Sequence, residues 1–206
     1  MLLDCGVSPK RLIQSGVDMT KVEACLLTHR HRDHSKYAPS LVKRSIDVFT
    51  TLDTIESLGL KKHHRMHAVS CYQMDIGSWE FIPTPVPHDV PCLGFFVRSK
   101  IDGETLLYLT DCAYFPAVVP APIVIALEVN HDIGSLKKSN VNTSRKVRTR
   151  LNHMGLTEAL RVIRQHSTPK LREIHVLHMS ESNADEREIK RKIEAVAGVP
   201  VYIAEE

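Results

Sequence analysis

A chain of 206 residues, 43% hydrophobic and 25% charged, has the make-up of one soluble globular domain over 1–206, long enough to bury a sizeable core. A formal net charge of only +3 excludes a polycation, so nucleic-acid binding would need a local basic patch. No apolar run approaches the ~20 residues of a membrane helix, no secretory leader precedes Leu2, and five cysteines (Cys5, Cys25, Cys71, Cys92, Cys112) without a Cys-x-x-Cys pair fit reduced, buried thiols in a cytoplasmic protein.

Leu2-Leu3-Asp4-Cys5-Gly6 reads as a strand end followed by a turn. Residues 8–16 read as a helix, opened by Pro9 and ended by Gly16. Val22 to Thr28 is a strand whose segment Ala24-Cys25-Leu26-Leu27 is apolar enough to be buried. It runs straight into Thr28-His29-Arg30-His31-Arg32-Asp33-His34, and then into a loop opening a helix over 36–45. Three histidines and an aspartate on a strand-to-helix turn are the imidazole and carboxylate ligands that borderline divalent metals prefer. If the turn curls, His29 and His31 converge on one ion, and Asp33 and His34 face a second point. One histidine in a loop is ordinarily a surface residue; this string points to two metals.

Residues 47–51 read as a strand and 52–59 as a helix stopped by Gly59. The basic run 61–67 is a solvated loop or, on a sharper reading, an edge that contacts phosphate. Strands are expected at 68–74, 78–84, 93–99 and 105–110, with Asp102-Gly103 turning a hairpin between the last two. Residues 122–129 read as a buried strand. From Gly134 to Gly155 apolar periodicity fades. Lys137, Lys138, Arg145, Lys146, Arg148 and Arg150 occur there without an acidic residue, as a mobile linker or as a basic surface for a phosphate backbone. An amphipathic helix over 156–166, a strand 174–177, a helix 184–196 stopped at Gly198 and a strand 199–203 complete an α/β chain with two sets of strands among helices.

Two metals need more ligands than the first string supplies. His88, Asp111 and His178 are the candidates, each just after or between expected strands, where loops converge. Alone, each would be an ordinary histidine or turn-forming aspartate; their joint placement downstream of the string changes that.

These residues resemble, in order, the motifs of the metallo-β-lactamase superfamily. Asp4 matches the first motif, His29, His31, Asp33 and His34 the second, His88 the third, Asp111 the fourth and His178 the fifth. The resemblance covers almost the whole chain and implies an α/β fold, the αββα four-layer sandwich. Family members have further strands before the first motif. Here Met1 lies three residues before Asp4, so either the sequence begins late or this member lacks those strands. The resemblance also implies that His29, His31 and His88 hold one metal, Asp33, His34 and His178 the other, that Asp111 bridges, and that Asp4 orients a ligand histidine. The ions would be zinc first, with manganese or iron as alternatives.

Glu128-Val129-Asn130-His131-Asp132 and His178-Met179-Ser180-Glu181-Ser182-Asn183 resemble strings of the WalJ-type branch, DNA exonucleases by description. Asn152-His153-Met154-Gly155 sits where that branch has a further histidine, which makes His153 either a proton donor or phosphate contact, or a plain helix-entry histidine. Asp33, Asp111 and His153 are thus the candidate catalytic residues. The expected activity is metal-dependent hydrolysis of a nucleic-acid phosphodiester through a metal-bridging hydroxide, with segment 137–150 holding the substrate and no membrane partner. The alternatives are a thioesterase- or lactonase-type hydrolase, against which the absence of glycine in Ser35-Lys36-Tyr37-Ala38 counts mildly, and a non-catalytic scaffold. Oligomeric state is left open.

Overall fold

The computed structural model describes residues 1–204. The chain forms two compact units, Met1–Pro85 with Val90–Leu93, and Val86–Asp89 with Gly94 onward. It is a mixed α/β fold with two sheets and helices.

The first unit is built on a parallel sheet in the order β1 (Leu2–Leu3), β2 (Ala24–Leu26), β3 (Asp47–Thr50) and β4 (Met66–Ala68). β2 is buried along its whole length, so both its faces must be apolar, as in parallel sheets generally. Between β1 and β2 lies α1 (Pro9–Gln14), capped by Ser8. Between β2 and β3 lie α2 (Arg32–Ser35) and α3 (Ala38–Lys43), and between β3 and β4 lies α4 (Leu52–Ser57), where Thr51 accepts from the Thr54 N–H. Cys25, Leu27, Leu41, Val42 and Val48 form the core here. β5 (Met74–Ile76) and β6 (Trp79–Val86) pair antiparallel.

The strand expected at 68–74 is instead the end of β4, a turn and the start of β5, because residues 70–73 are exposed. Cys71 is exposed as well, contrary to the expectation of buried thiols, whereas Cys5, Cys25, Cys92 and Cys112 are buried. In the basic run, Arg65 and His67 are both held by Asp47, at 2.9 and 2.7 Å.

In the second unit the strands lie in the order β11 (Val201–Ile203), β10 (Glu173–Leu177), β9 (Val124–Glu128), β8 (Thr105–Leu109) and, from Gly94 onward, β7 (Cys92–Ser99). All pairs are parallel except β7 with β8, the hairpin turned at Asp102-Gly103 with Gly103 at φ 74°. α7 (Leu156–His166) buries Leu156, Ala159, Val162 and Ile163 on one stripe and packs on β9. α8 (Glu186–Ala197) packs on α7 and β11, capped by Asp185 and ended by Gly198 at φ 68°.

Residues 134–155 are not a linker. They fold as α5 (Ile133–Lys138) and α6 (Thr143–Asn152). Capping rather than burial starts these helices. Asp132 accepts from the Ser135 N–H at 2.8 Å, and Asn142 accepts from the Arg145 N–H at 2.8 Å. α6 buries no residue, which is why apolar periodicity failed to mark it. Among the described residues no helix is long and apolar enough to cross a membrane.

Asp132 also accepts from the Asp185 N–H at 3.1 Å, so one buried carboxylate ties the start of α5 to the entry of α8. Asp132→Ala is expected to cost about 1–3 kcal/mol in urea denaturation, the penalty of leaving these N–H groups unmatched. Burial alone would raise the Asp132 carboxyl, but its hydrogen bonds hold it below the ordinary carboxylate value. Its contribution is therefore complete above the unfolded-state pKa of ~3.9 and fades as pH falls through the lower folded value. The gap between parent and variant should close in acid; a gap that stays constant to the acid limit would contradict the assigned role.

Candidate metal centre

In the first unit, the string His29 to His34 leaves β2 and winds into α2. Asp4 follows β1 in the left-handed region, φ 58°, and its carboxylate is the hub of the turn. Oδ1 accepts from the Thr28 N–H at 2.7 Å and from the Thr28 hydroxyl at 3.0 Å. Oδ2 lies 2.8 Å from His34 Nδ1, so that nitrogen donates to Asp4 and Nε2 remains the coordinating atom. Nε2 is 3.5 Å from Asp33 Oδ2. The His29 ring lies 4.6 Å from that of His31 and 4.4 Å from that of His34, centroid to centroid, with Nδ1 2.9 Å from Thr28 Oγ1 and 3.7 Å from Cys92 Sγ. His31 is the N-cap residue of α2, yet its imidazole does not cap the helix. Gly6 lets the chain pass against α2: a Cβ there would fall 1.5 Å from the Asp33 carbonyl oxygen.

In the second unit the site grows from the ends of β8, β9 and β10. Asp111 follows β8 at φ 47° and His178 follows β10 at φ 48°. Among the described residues only Asp4, Ser45, Asp111 and His178 are non-glycine residues with positive φ, and three of the four stand at sequence-predicted site positions. Such backbone costs of order 1–3 kcal/mol each and persists where the surroundings impose it. His178 Nδ1 lies 2.8 Å from Asp111 Oδ1 and 3.0 Å from Glu128 Oε1. His88 donates Nδ1–H to the Asn152 carbonyl at 2.9 Å, which turns Nε2 toward Asp89, 3.2 Å, and Asp111, 3.7 Å. His153, the C-cap residue of α6, donates from Nδ1 to Glu128 Oε1 at 2.6 Å. Each of Asp111, Glu128, His153 and His178 offers a ligand atom within 4.8 Å of the others.

Glu128 is the residue that sequence reasoning quoted without a role. It ends β9 wholly buried. Its second oxygen accepts from the Cys112 N–H at 3.1 Å and the Met154 N–H at 3.0 Å. The available signal was a lone carboxylate closing the apolar run Ile123 to Leu127. Of its neighbours in the string, Asn130 donates to the His178 carbonyl at 3.2 Å, and His131 packs so close to Gly155 that a Cβ there would meet its ring at 2.7 Å.

The protonation pattern suits a cation site. Burial pushes His88 below its ordinary value and favours the neutral ring that coordinates metals. Burial acts the same way on His178, but the hydrogen bonds and charges of Asp111 and Glu128 outweigh it and raise this imidazole to about 10. His153 is likewise raised against burial by Glu128. Two buried carboxylates thus hold a positive charge between strand ends. Imidazole nitrogen and carboxylate oxygen are the donor set of borderline divalent metals, so the residues present fit such ions.

The basic segment lies on α5 and α6. Arg145, Arg148 and Arg150 are exposed, and Lys146 Nζ donates to the Lys137 carbonyl at 3.0 Å.

Solved structures with the same architecture include the metallo-β-lactamase fold protein YhfI from Bacillus subtilis, 17% identical over 98% of this chain and 83% of that one, TM-score 0.73. A diphosphatase of the PhnP family is 17% identical over 99% of this chain and 76% of its own, TM-score 0.67. The short form of human tRNase Z is 14% identical over 99% and 85%, TM-score 0.64. No curated protein matches the chain. At these identities the likeness establishes the metallo-β-lactamase fold. The beta-lactamase superfamily domain matches residues 1–176, carrying Asp4, the His29–His34 string, His88, Asp111 and Glu128 in one span, and the chain belongs to that family.

Proposed function

We propose that this member is a hydrolase of nucleic-acid phosphodiesters using two divalent metal ions, zinc first, held by His29, His31, Asp33, His34, His88, Asp111 and His178. The observation that carries the reading is the Asp111, Glu128, His153, His178 cluster at three strand ends, built on a buried carboxylate. Bound divalent ions supply a water ionised near neutral pH and neutralise charge on a phosphoryl oxygen.

The chain's own residues do the rest. Asp4 and the Asn152 carbonyl each fix one histidine by its Nδ1–H, leaving Nε2 of His34 and His88 to coordinate. Glu128 fixes His153 by Nδ1, which leaves Nε2 as the atom that can pass a proton to the departing oxygen. By their names, a diphosphatase and a tRNase stand among the structural neighbours, which supports a substrate of the phosphoryl class. The Glu128 to Asp132 string favours the WalJ-type branch, and the acid-free cations of 137–150 favour a nucleic acid. Four buried cysteines outside any disulfide favour a reducing compartment, the cytoplasm.

The test is turnover by metal-replete protein on bis-p-nitrophenyl phosphate, plasmid DNA, RNA and a thioester. Phosphodiester cleavage with about two ions bound per chain is the expected result. Cleavage of the thioester alone would transfer the site to small-molecule chemistry, and no affinity for zinc, manganese or iron would end the metal reading.

A further inference from the structure

An open groove of about 630 Å³ lies between Lys138 at the end of α5, the 139–142 turn, Arg145 on the first turn of α6, and Ser182. No acidic residue lines it, and both cations are exposed. Among the described residues neither cation forms an ion pair. Ser139, Asn140, Asn142 and Ser182 add neutral polar side chains. The neighbouring groove shares Lys138 but meets Asp185 and Glu186, which oppose an anion on that side.

α6 connects this groove to the candidate centre. Arg145 and His153 are eight residues apart, so the helix sets them about 12 Å apart along its axis. Arg148 and Asn152 follow Arg145 at i+3 and i+7 on the same face, and Arg148 is exposed. At ~3.4 Å per phosphate along a stacked strand, about 12 Å spans three to four phosphates.

Resting on the phosphodiesterase reading above, we propose that the Lys138–Arg145 groove is a remote phosphate subsite. It holds the substrate strand three to four phosphates away from the bond cleaved near His153, and so makes cleavage dependent on chain length. Contacts of this kind position a backbone and read no sequence. Substrate that reaches the groove is held in register for the reaction; a dinucleotide is not. The exposed apolar pair Val147 and Leu151 on α6 would also suit a lipid surface, but two side chains amid four cations make a narrow apolar stripe.

The experiment is kcat/KM of metal-replete protein on oligonucleotides of two to eight nucleotides, for the parent and the double variant Lys138→Gln/Arg145→Gln, with bis-p-nitrophenyl phosphate as the short reference. Expected is a rise of about tenfold once the strand exceeds roughly five nucleotides. The double variant should lack that rise and still cleave the reference at the parental rate. A parent without a length step, or a step that survives in the variant, overturns the subsite while leaving the phosphodiesterase reading intact. A parent that cleaves no phosphodiester overturns both. Loss in the variant of binding to phosphatidylserine vesicles, with no length step in the parent, assigns the surface to lipid and overturns the proposal.

Discussion

Asp33→Ala and His34→Ala are each expected to lower turnover by roughly three orders of magnitude or more, with a matching fall in bound metal. The two variants remove ligands of the same proposed ion but differ in what else they disturb. The Asp33 side chain is 64% exposed, so its loss should leave stability within about 0.5 kcal/mol of the parent. His34 is buried and is a hydrogen-bond partner of Asp4. Its removal takes one of the donors from a carboxylate that also anchors Thr28, at a cost of about 1–3 kcal/mol. Activity lost in both variants while circular dichroism is retained identifies a ligand effect. Asp4→Asn should behave differently: it keeps the shape but weakens the anchor of His34, and metal affinity should fall about 10–100-fold. Parental turnover in both Asp33→Ala and His34→Ala would place the chemistry elsewhere.

The parts of this site that could be read from sequence share a physical reason. The residue types that can hold or orient a metal ion are few, and here they stand where strands end, so apolar runs closed by Asp4, His29, Asp111 and His178 mark both the strand and the residue it delivers. Three of those four also take left-handed backbone, which the sequence does not announce because no glycine stands there. Glu128 escaped assignment because a single glutamate after an apolar run looks the same whether it caps a turn or sits wholly buried among four donors. The helices of the 134–155 segment, where one of the two readings was a mobile linker, are hidden for the opposite reason. Apolar spacing marks a helix that packs, and α6 packs no side chain into a core; it starts at Asn142 and runs on the intrinsic helix preference of Arg and Lys. The strand expected over 68–74 failed at its centre, where exposed Cys71 and Tyr72 are carried by a turn although both residue types favour burial or strands.

Glu128 supports the most demanding test of how the second unit holds its ligands. Glu128→Ala would strand His153 Nδ1 and the Cys112 and Met154 N–H groups around a new void and leave His178 Nδ1 to Asp111 alone, and is expected to cost about 3–5 kcal/mol, enough to unfold a marginal domain. Glu128→Gln keeps the shape and separates charge from packing. It should fold, with a loss of about 1–3 kcal/mol, and turn over about a hundredfold more slowly, because an amide holds an imidazolium at His153 less well than a carboxylate. A second signature is independent of activity. In protein stripped of metal by chelation, burial opposes the His178 charge, but Asp111 and Glu128 raise its pKa to about 10. The unfolded value is ~6.5, so the stabilisation from this proton is complete below that pH and disappears as pH rises through 10. Urea denaturation of the metal-free parent should therefore show stability falling across pH 6.5–10. Glu128→Gln should flatten that fall, since one of the two carboxylates that retain the proton is gone. An equally steep fall in the variant would mean that Asp111 alone holds the His178 proton, and that Glu128 fills space between strands without setting the charge state of the ligands around it.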